Sequence, residues 1–239
     1  MATSKLEKKE QLYEGKAKVL FATNDPDYVI QYFKDDATAF NAEKKGTIEN
    51  KGVVNNTISA VIFKYLEAEG VKTHFVEQLS ERESLTRYLE IIPVEVIVRN
   101  ITAGSISKRL GVEEGIVLKQ PILEFCYKDD DLGDPFICES IIYAFDYATP
   151  EEMKHISETA LKVNELLSKF FDERGITLVD YKLEFGRFKG EVLLADEITP
   201  DGCRLWEKGT NEKLDKDRFR RDLGNIEEAY EKVLNKVME

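Results

Sequence analysis

The sequence predicts an ordered, mixed chain of short β-strands and a few long helices, and three observations carry that expectation. The composition of the 239 residues, 42% hydrophobic and 33% charged with only 14 Gly and 6 Pro, excludes disordered, collagen-like and low-complexity classes. Runs rich in β-branched and aromatic residues recur between turn residues, which is the mark of strands. Other segments repeat apolar side chains every three to four positions, which is the mark of helices. At roughly 100 to 200 residues per domain, this length makes one large domain or two modest ones. A globule of this size removes about 70 to 75% of its unfolded-chain surface from water, so neither a disulfide nor a metal is needed to hold it together.

Taken in order, Gln11 to Ala22 reads as two short strands around Gly15-Lys16-Ala17-Lys18, and Tyr28 to Phe33 as a third. Val54, Ile58, Val61, Ile62 and Tyr65 then recur at helical spacing, and Gly70 ends that helix. Thr73 to Leu79 and Pro93 to Ile101 are the next strands, with a further one between Ser84 and Leu89. Thr149 and Glu152 form a capping-box pattern with Pro150 at the first helical position. The core face of that helix is Met153, Ile156, Ala160, Val163, Leu167 and Phe170, and Gly175 is its stop. A last helix turns Ile226, Tyr230, Val233 and Val237 inward. The acidic knot Asp129-Asp130-Asp131, followed by Gly133-Asp134-Pro135, reads as a solvated turn. There is no internal repeat and no linker rich in Pro, Gly or Ser, so two lobes, if present, are joined closely.

Several functions are disfavoured at once. Cys126, Cys138 and Cys203 are an odd count with no Cys-x-x-Cys pair, which fits a reducing compartment and argues against zinc ribbons and disulfide scaffolds. His74 and His155 are the sole histidines, so a two-histidine metal site or a Ser-His-Asp triad would have to use them, and neither lies in a helpful context. The longest charge-free stretch, Gly52 to Phe63, is well short of the ~20 apolar residues that span a bilayer. The start Met1-Ala2-Thr3-Ser4-Lys5 has no apolar signal core, and a cytoplasmic location is expected. Lys and Arg number 34 against 46 Asp and Glu, a formal charge of -12 that disfavours nucleic acid or anionic membrane as partners. An anionic ligand must therefore meet local positive charge. Val96 to Val112, with Arg99, Lys108 and Arg109 and no acidic residue, supplies one such place.

Four constellations carry candidate chemistry. In Tyr13-Glu14-Gly15-Lys16-Ala17-Lys18, a glycine at a turn lets backbone approach a ligand, and lysines two apart on an extended strand would point at one polyanion. An exposed hairpin with solvated lysines explains the same pattern. In the second, an apolar strand ending at Arg99 runs into Thr102-Ala103-Gly104-Ser105, where a helix start could hold a phosphate with Ser105 and Arg99 assisting. A capped helix with Arg99 in a structural ion pair is the alternative.

The third is Leu178 to Gly186, whose alternation puts Asp180, Lys182 and Glu184 on one face and Val179, Tyr181, Leu183 and Phe185 on the other. A hairpin through Phe188-Lys189-Gly190-Glu191 would return Asp196 toward Glu184. A strict two-residue turn leaves those two carboxylates on opposite faces, whereas a longer turn or a bulge sets them about 5 Å apart. Paired carboxylates beside phosphates suit Mg²⁺, so a metal site predicts that irregularity. In the fourth, Thr199-Pro200-Asp201-Gly202 is a turn that displays Arg204 beside the hairpin, and Trp206 is expected to pack.

With these residues in view, the chain closely resembles the SAICAR synthetase family of purine biosynthesis. The likeness runs from Leu12-Tyr13-Glu14-Gly15-Lys16-Ala17-Lys18 to Asp217-Arg218-Phe219-Arg220-Arg221-Asp222-Leu223-Gly224. Its most specific signatures are Ile91 to Arg99 continuing to Thr102-Ala103-Gly104-Ser105, and Leu178 to Gly186. The resemblance implies an α+β fold in two lobes, an antiparallel β lobe over residues 1–89 and a larger α+β lobe over 90–239. ATP would lie in the cleft between them, near the Ile91-Ile92 crossover. It implies an ATP-dependent ligase that joins the carboxylate of carboxyaminoimidazole ribonucleotide (CAIR) to the amine of L-aspartate, through an acyl phosphate, giving SAICAR, ADP and phosphate. On the same resemblance, Gly15, Lys16, Ala17, Lys18 and Ile91 would hold ATP, while Glu184 and Asp196 would bind Mg²⁺ and its nucleotide. Arg99, Gly104, Ser105, Asp36, Lys44, Lys128 and Arg204 would hold substrate. Lys182 would neutralise charge at the reacting groups, Asp180 could take the amine's proton, and a homodimer is expected. The stretch Lys34 to Asn41 matches the short bacterial branch. Two other readings share the ATP site: a small-molecule kinase or amide ligase with a different acceptor, and a nucleotide-binding protein without catalysis.

Overall fold

The computed structural model describes residues 6–39 and 43–239, so the end of the Lys34 to Asn41 motif, at Phe40 and Asn41, lies outside the described residues. Strands β1 (Lys8–Glu14), β2 (Lys18–Thr23) and β3 (Tyr28–Phe33) form a meander, and β4 (Asp36–Ala39) and β5 (Lys44–Thr47) pair as a separate hairpin. After α1 (Lys51–Ala68), β6 (Phe75–Gln78) and β7 (Glu83–Arg87) complete a five-stranded antiparallel sheet in the order β1-β2-β3-β7-β6.

The chain then enters a second sheet through β8 (Glu90–Ile91) and β9 (Val94–Ile101). It continues through α2 (Ser105–Leu110), β10 (Val117–Tyr127), β11 (Phe136–Ile137), α3 (Glu139–Ala144) and α4 (Pro150–Asp172). The last elements are β12 (Ile176–Phe188), β13 (Glu191–Ala195), β14 (Cys203–Glu207), α5 (Asp217–Arg220) and α6 (Ile226–Met238). The order is β11-β10-β9-β12-β13, with β14 and β8 also paired to β12. This long strand is thus the spine to which the edges attach.

Local chemistry accounts for these elements. The Thr149 hydroxyl accepts from the Glu152 amide and the Glu152 carboxylate accepts from the Thr149 amide, so α4 has the capping box its sequence predicts. Apolar faces of α1 (Ile58, Ile62, Phe63, Leu66), α4 (Ile156, Val163, Leu167, Phe171) and α6 (Tyr230, Val233, Val237) converge with Val94, Val96 and Val98 of β9 and Leu183 and Phe185 of β12 in one core. Trp206 packs as expected.

The clean alternation expected for β12 fails at one point. A register shift against β14 between Leu178 and Asp180 takes Val179 out of the face shared by Leu178, Tyr181, Leu183 and Phe185. Val179 joins a separate cluster with Ile101, Ala103 and Trp206. Such a bulge inserts one extra residue, which is how a strand re-aims a side chain.

Candidate functional site

Strand β12 presents the site. From Lys182, Nζ donates to Glu184 Oε1 and Glu95 Oε1, each at 2.8 Å, and lies 3.5 Å from Asp196 Oδ2. Glu184 Oε1 also accepts from Lys128 Nζ at 2.9 Å, and Lys18 pairs with both Asp196 and Glu197. Three ammonium groups thus converge on the carboxylates of Glu184 and Asp196. Burial works against the charge of Lys182, but Glu184, Asp196 and Glu95 hold its proton well above the ordinary lysine range. Lys18 follows the same logic through Asp196 and Glu197. Burial likewise disfavours the Asp196 carboxylate, yet Lys18, Lys182 and Lys128 keep it ionised far below the usual range. Burial pushes Glu95 and Glu197 up.

The route by which Asp196 reaches Lys182 differs from the one expected. The hairpin is the strict two-residue kind, with Phe188 opposite Glu191 and Glu184 opposite Ala195, and Lys189 (φ 49°) and Gly190 (φ 85°) supply the two left-handed turn positions. No bulge interrupts its ladder. The irregularity sits one residue beyond β13, where Asp196 itself is left-handed at φ 63° and turns its carboxylate back toward Lys182.

The two N-terminal lysines also diverge from expectation. Gly15, Lys16 and Ala17 form the turn between β1 and β2, closed by Gly15 N donating to Lys18 O at 2.8 Å, so the two lysines do not share an extended strand. Lys18 goes down to Asp196, while exposed Lys16 crosses to Asp130 at 2.6 Å on the acidic turn after β10. That turn, expected to be merely solvated, closes over the phosphate-binding candidates. Tyr13, Gly15, Lys16, Asp36, Thr38 and Asp130 line a cleft of about 640 Å³. Asp36 pairs with Lys34 at 2.6 Å, and Lys44 is turned to the Phe219 carbonyl and Asp222. Ile91 is exposed at the crossover, where β8 pairs Gly186 and Arg187.

Beside the ammonium cluster lies a guanidinium pair. Arg99, 2% exposed, donates to Glu124 (2.7 Å), Asp180 (2.8 Å) and the Ser105 hydroxyl (2.9 Å). Arg204 donates through Nη1 to Asp180 at 2.9 Å and through Nε to Asp217 at 3.0 Å. Both Asp180 oxygens are engaged, and burial pushes its carboxyl up against the pull of Arg204 and Arg99. Gly104 is left-handed at φ 62°, and a Cβ there would fall 2.3 Å from Arg204 Nη2. Only glycine satisfies both demands.

The structure therefore brings Lys18, Lys128, Lys182, Glu184 and Asp196 into one cluster and Arg99, Gly104, Ser105, Asp180 and Arg204 into the next. Sequence reasoning missed Glu95, Glu197, Glu124 and Asp217. Glu95 carried a signal, since it alternates with Ile97 and Arg99 along β9, and Glu197 directly follows Asp196. Among the described residues, no three His, Cys, Asp or Glu side chains form a metal cage, and no helix is long and apolar enough to cross a membrane.

The chain is similar to known proteins over nearly its whole length. The SAICAR synthetase family model matches residues 11–237. Phosphoribosylaminoimidazole-succinocarboxamide synthase of Clostridium botulinum (strain Hall) is 60% identical over 232 residues, covering 97% of this chain and 99% of the relative. The same-named protein of Caldanaerobacter subterraneus subsp. tengcongensis is 57% identical over 234 residues, covering 98% and 100%. The crystal structure of phosphoribosylaminoimidazole-succinocarboxamide synthase from Ehrlichia chaffeensis is similar at TM-score 0.94 and 48% identity, covering 95% of this chain and 98% of that one. A type 2 SAICAR synthetase structure in complex with ADP gives 0.92 and 45%, covering 95% and 97%. With likeness in sequence and fold over nearly the whole length, the chain belongs to the SAICAR synthetase family.

Proposed function

We propose that β12 divides the reaction along its length: Asp180 anchors the guanidiniums that hold the imidazole nucleotide, Lys182 attends the reacting carboxylate, and Glu184 faces the phosphates of ATP. The chain is an ATP-dependent carbon–nitrogen ligase that forms SAICAR in purine biosynthesis. The observation that carries the division is the shared strand. Residues two apart on one face of a strand have Cα atoms about 7 Å apart, so three successive side chains on that face can attend neighbouring parts of one bound assembly, within which the attacking oxygen and the phosphorus come to about 3 Å of each other.

A carboxylate oxygen is a poor leaving group, so CAIR first attacks the γ-phosphorus, the bond to the bridging oxygen breaks, and ADP departs. The amine of L-aspartate then attacks the acyl carbon, the carbon–oxygen bond to phosphate breaks, and the nitrogen loses its proton to water. Lys182 lies where negative charge gathers in both steps and stabilises it without reorganisation. Asp180, with both oxygens held by arginines, is assigned to orientation rather than to proton transfer. Lys18 and Lys16, joined by Gly15 and Ala17, reach the phosphates, Ile91 borders the nucleotide, and Lys128 supports Glu184.

The donor set fits Mg²⁺, which binds through one or two carboxylates plus phosphate oxygens and not in an all-protein cage. Glu184 and Asp196 are hard oxygen ligands already held together by Lys182. The ion would supply charge neutralisation on the phosphates.

The test is ADP release with CAIR plus L-aspartate against CAIR plus other amino acids. Release requiring CAIR and L-aspartate together, one ADP per SAICAR, is expected. Release with CAIR alone, or with another amino acid at equal rate, would instead favour a kinase or a different ligase.

A further inference from the structure

We infer that Asp217 is a positioning residue for the imidazole-nucleotide anion, acting through Arg204; the inference rests on the reading of Arg204 as a substrate anchor. Asp217 opens α5, and its side chain is 2% exposed. Its Oδ2 accepts from Arg204 Nε at 3.0 Å, while Asp180 accepts from Arg204 Nη1 at 2.9 Å. Two buried carboxylates on different elements thus grip adjacent edges of one guanidinium. Neither bond uses Nη2, and that nitrogen stands over Gly104, against the Thr102 to Ser105 turn. A guanidinium held by one carboxylate alone pivots about that contact. Held by two, it keeps its free edge aimed at one place, and less conformational freedom is lost when an anion binds there.

Asp217 is suited to this by its own surroundings. Arg220 Nη1 donates to its Oδ1 at 2.7 Å, Arg221 Nη2 lies 3.1 Å from Oδ2, and its backbone N donates to Asp215 at 2.7 Å. Three guanidiniums therefore surround this carboxylate, Arg204 being shared with Asp180 and Arg221 with Glu114, so Asp217 is held firmly from several sides. The simpler role, fastening α5 to the sheet, would lower stability without singling out one substrate.

The experiment measures KM for CAIR and for ATP, kcat and thermal stability in Arg204→Lys, Asp217→Asn and the double variant. The loss of one charge-assisted contact predicts a rise of about tenfold in the CAIR KM of Asp217→Asn, with the ATP KM within about twofold of the parent. Because both single changes disturb one guanidinium, the double variant should be no worse than Arg204→Lys alone. An unchanged CAIR KM in Asp217→Asn, an equal rise for both substrates, or multiplied effects in the double variant would overturn the inference. An unchanged CAIR KM in Arg204→Lys would instead remove the anchor reading beneath it. Should Asp217→Asn not fold, Asp217→Glu keeps the charge, and failure of both to fold would make Asp217 purely structural and end the inference.

Discussion

Lys182 shares its ammonium among Glu95, Glu184 and Asp196, so replacing it takes away the cation paired with Glu95 and leaves Glu184 to Lys128 and Asp196 to Lys18. Lys182→Met should lower kcat by about 10²-fold or more, as loss of one preorganised electrostatic partner commonly does. It should also destabilise the fold, because the buried Glu95 carboxylate loses its cation. Steady-state rates and thermal melts check both effects. His74 makes a second prediction. Burial, reinforced by the nearby Lys18 cation, depresses it to about 3, and its Nε2 lies 3.2 Å from Gln31 Nε2. The unfolded chain would take a proton there near pH 6.5 while the folded chain resists, so stability falls as pH drops from about 6.5 toward 3. Chemical denaturation between pH 7.5 and 4.5 should show a smaller loss for His74→Asn than for the parent; equal slopes would contradict it. Residues in compact motifs, such as Lys182, Glu184 and Ser105, were legible in the sequence. Glu124 and Asp217 were not, because their roles come from pairings with Arg99 and Arg204, which are 25 and 13 positions away.

Elements were read well where their signals are local. The capping box gives α4 a start at Pro150, and the meander and α1 fall where period and glycine place them. Thr149→Ala removes a cap hydrogen bond 3.2 Å long and should cost about 1 kcal/mol. For a chain of this size that is a Tm decrease of roughly 2–4 °C, and kinetics should be unchanged. A larger drop would mean that the Arg187 pair with Glu152 was lost as well. Register was harder to read. Asp196 owes its orientation to a left-handed backbone just past β13, and no spacing rule reports a single φ beyond a strand end. Lys16 misled for a related reason, since the turn begins at Gly15 and removes it from the strand.

At the scale of the whole molecule, the two sheets divide cleanly between Arg87 and Glu90, but the hydrophobic core does not. Ile58, Ile62, Phe63 and Leu66 of α1 belong to the same cluster as α4, α6 and the large sheet. His74 N also donates to Leu194 O at 2.8 Å, tying the first lobe to the strand that leads to Asp196. The chain passes from the first sheet to the second between Arg87 and Glu90, yet residues 90–239 alone should fail to fold cooperatively, with weak near-ultraviolet dichroism and exposed apolar surface. A sharp, two-state melt of that fragment would show that α1 is dispensable. Composition showed neither the change of sheet nor the shared core, because both depend on which strands and apolar faces meet in space.

We propose that Glu184 and Asp196, gathered around Lys182, hold the divalent ion that grips the triphosphate. The decisive experiment titrates Mg²⁺ against the rate of SAICAR formation in the parent and in Asp196→Asn. The Mg²⁺ concentration giving half the maximal rate should rise about tenfold or more, with the KM for CAIR little changed. An Asp196→Asn enzyme with the parent's Mg²⁺ dependence would contradict it.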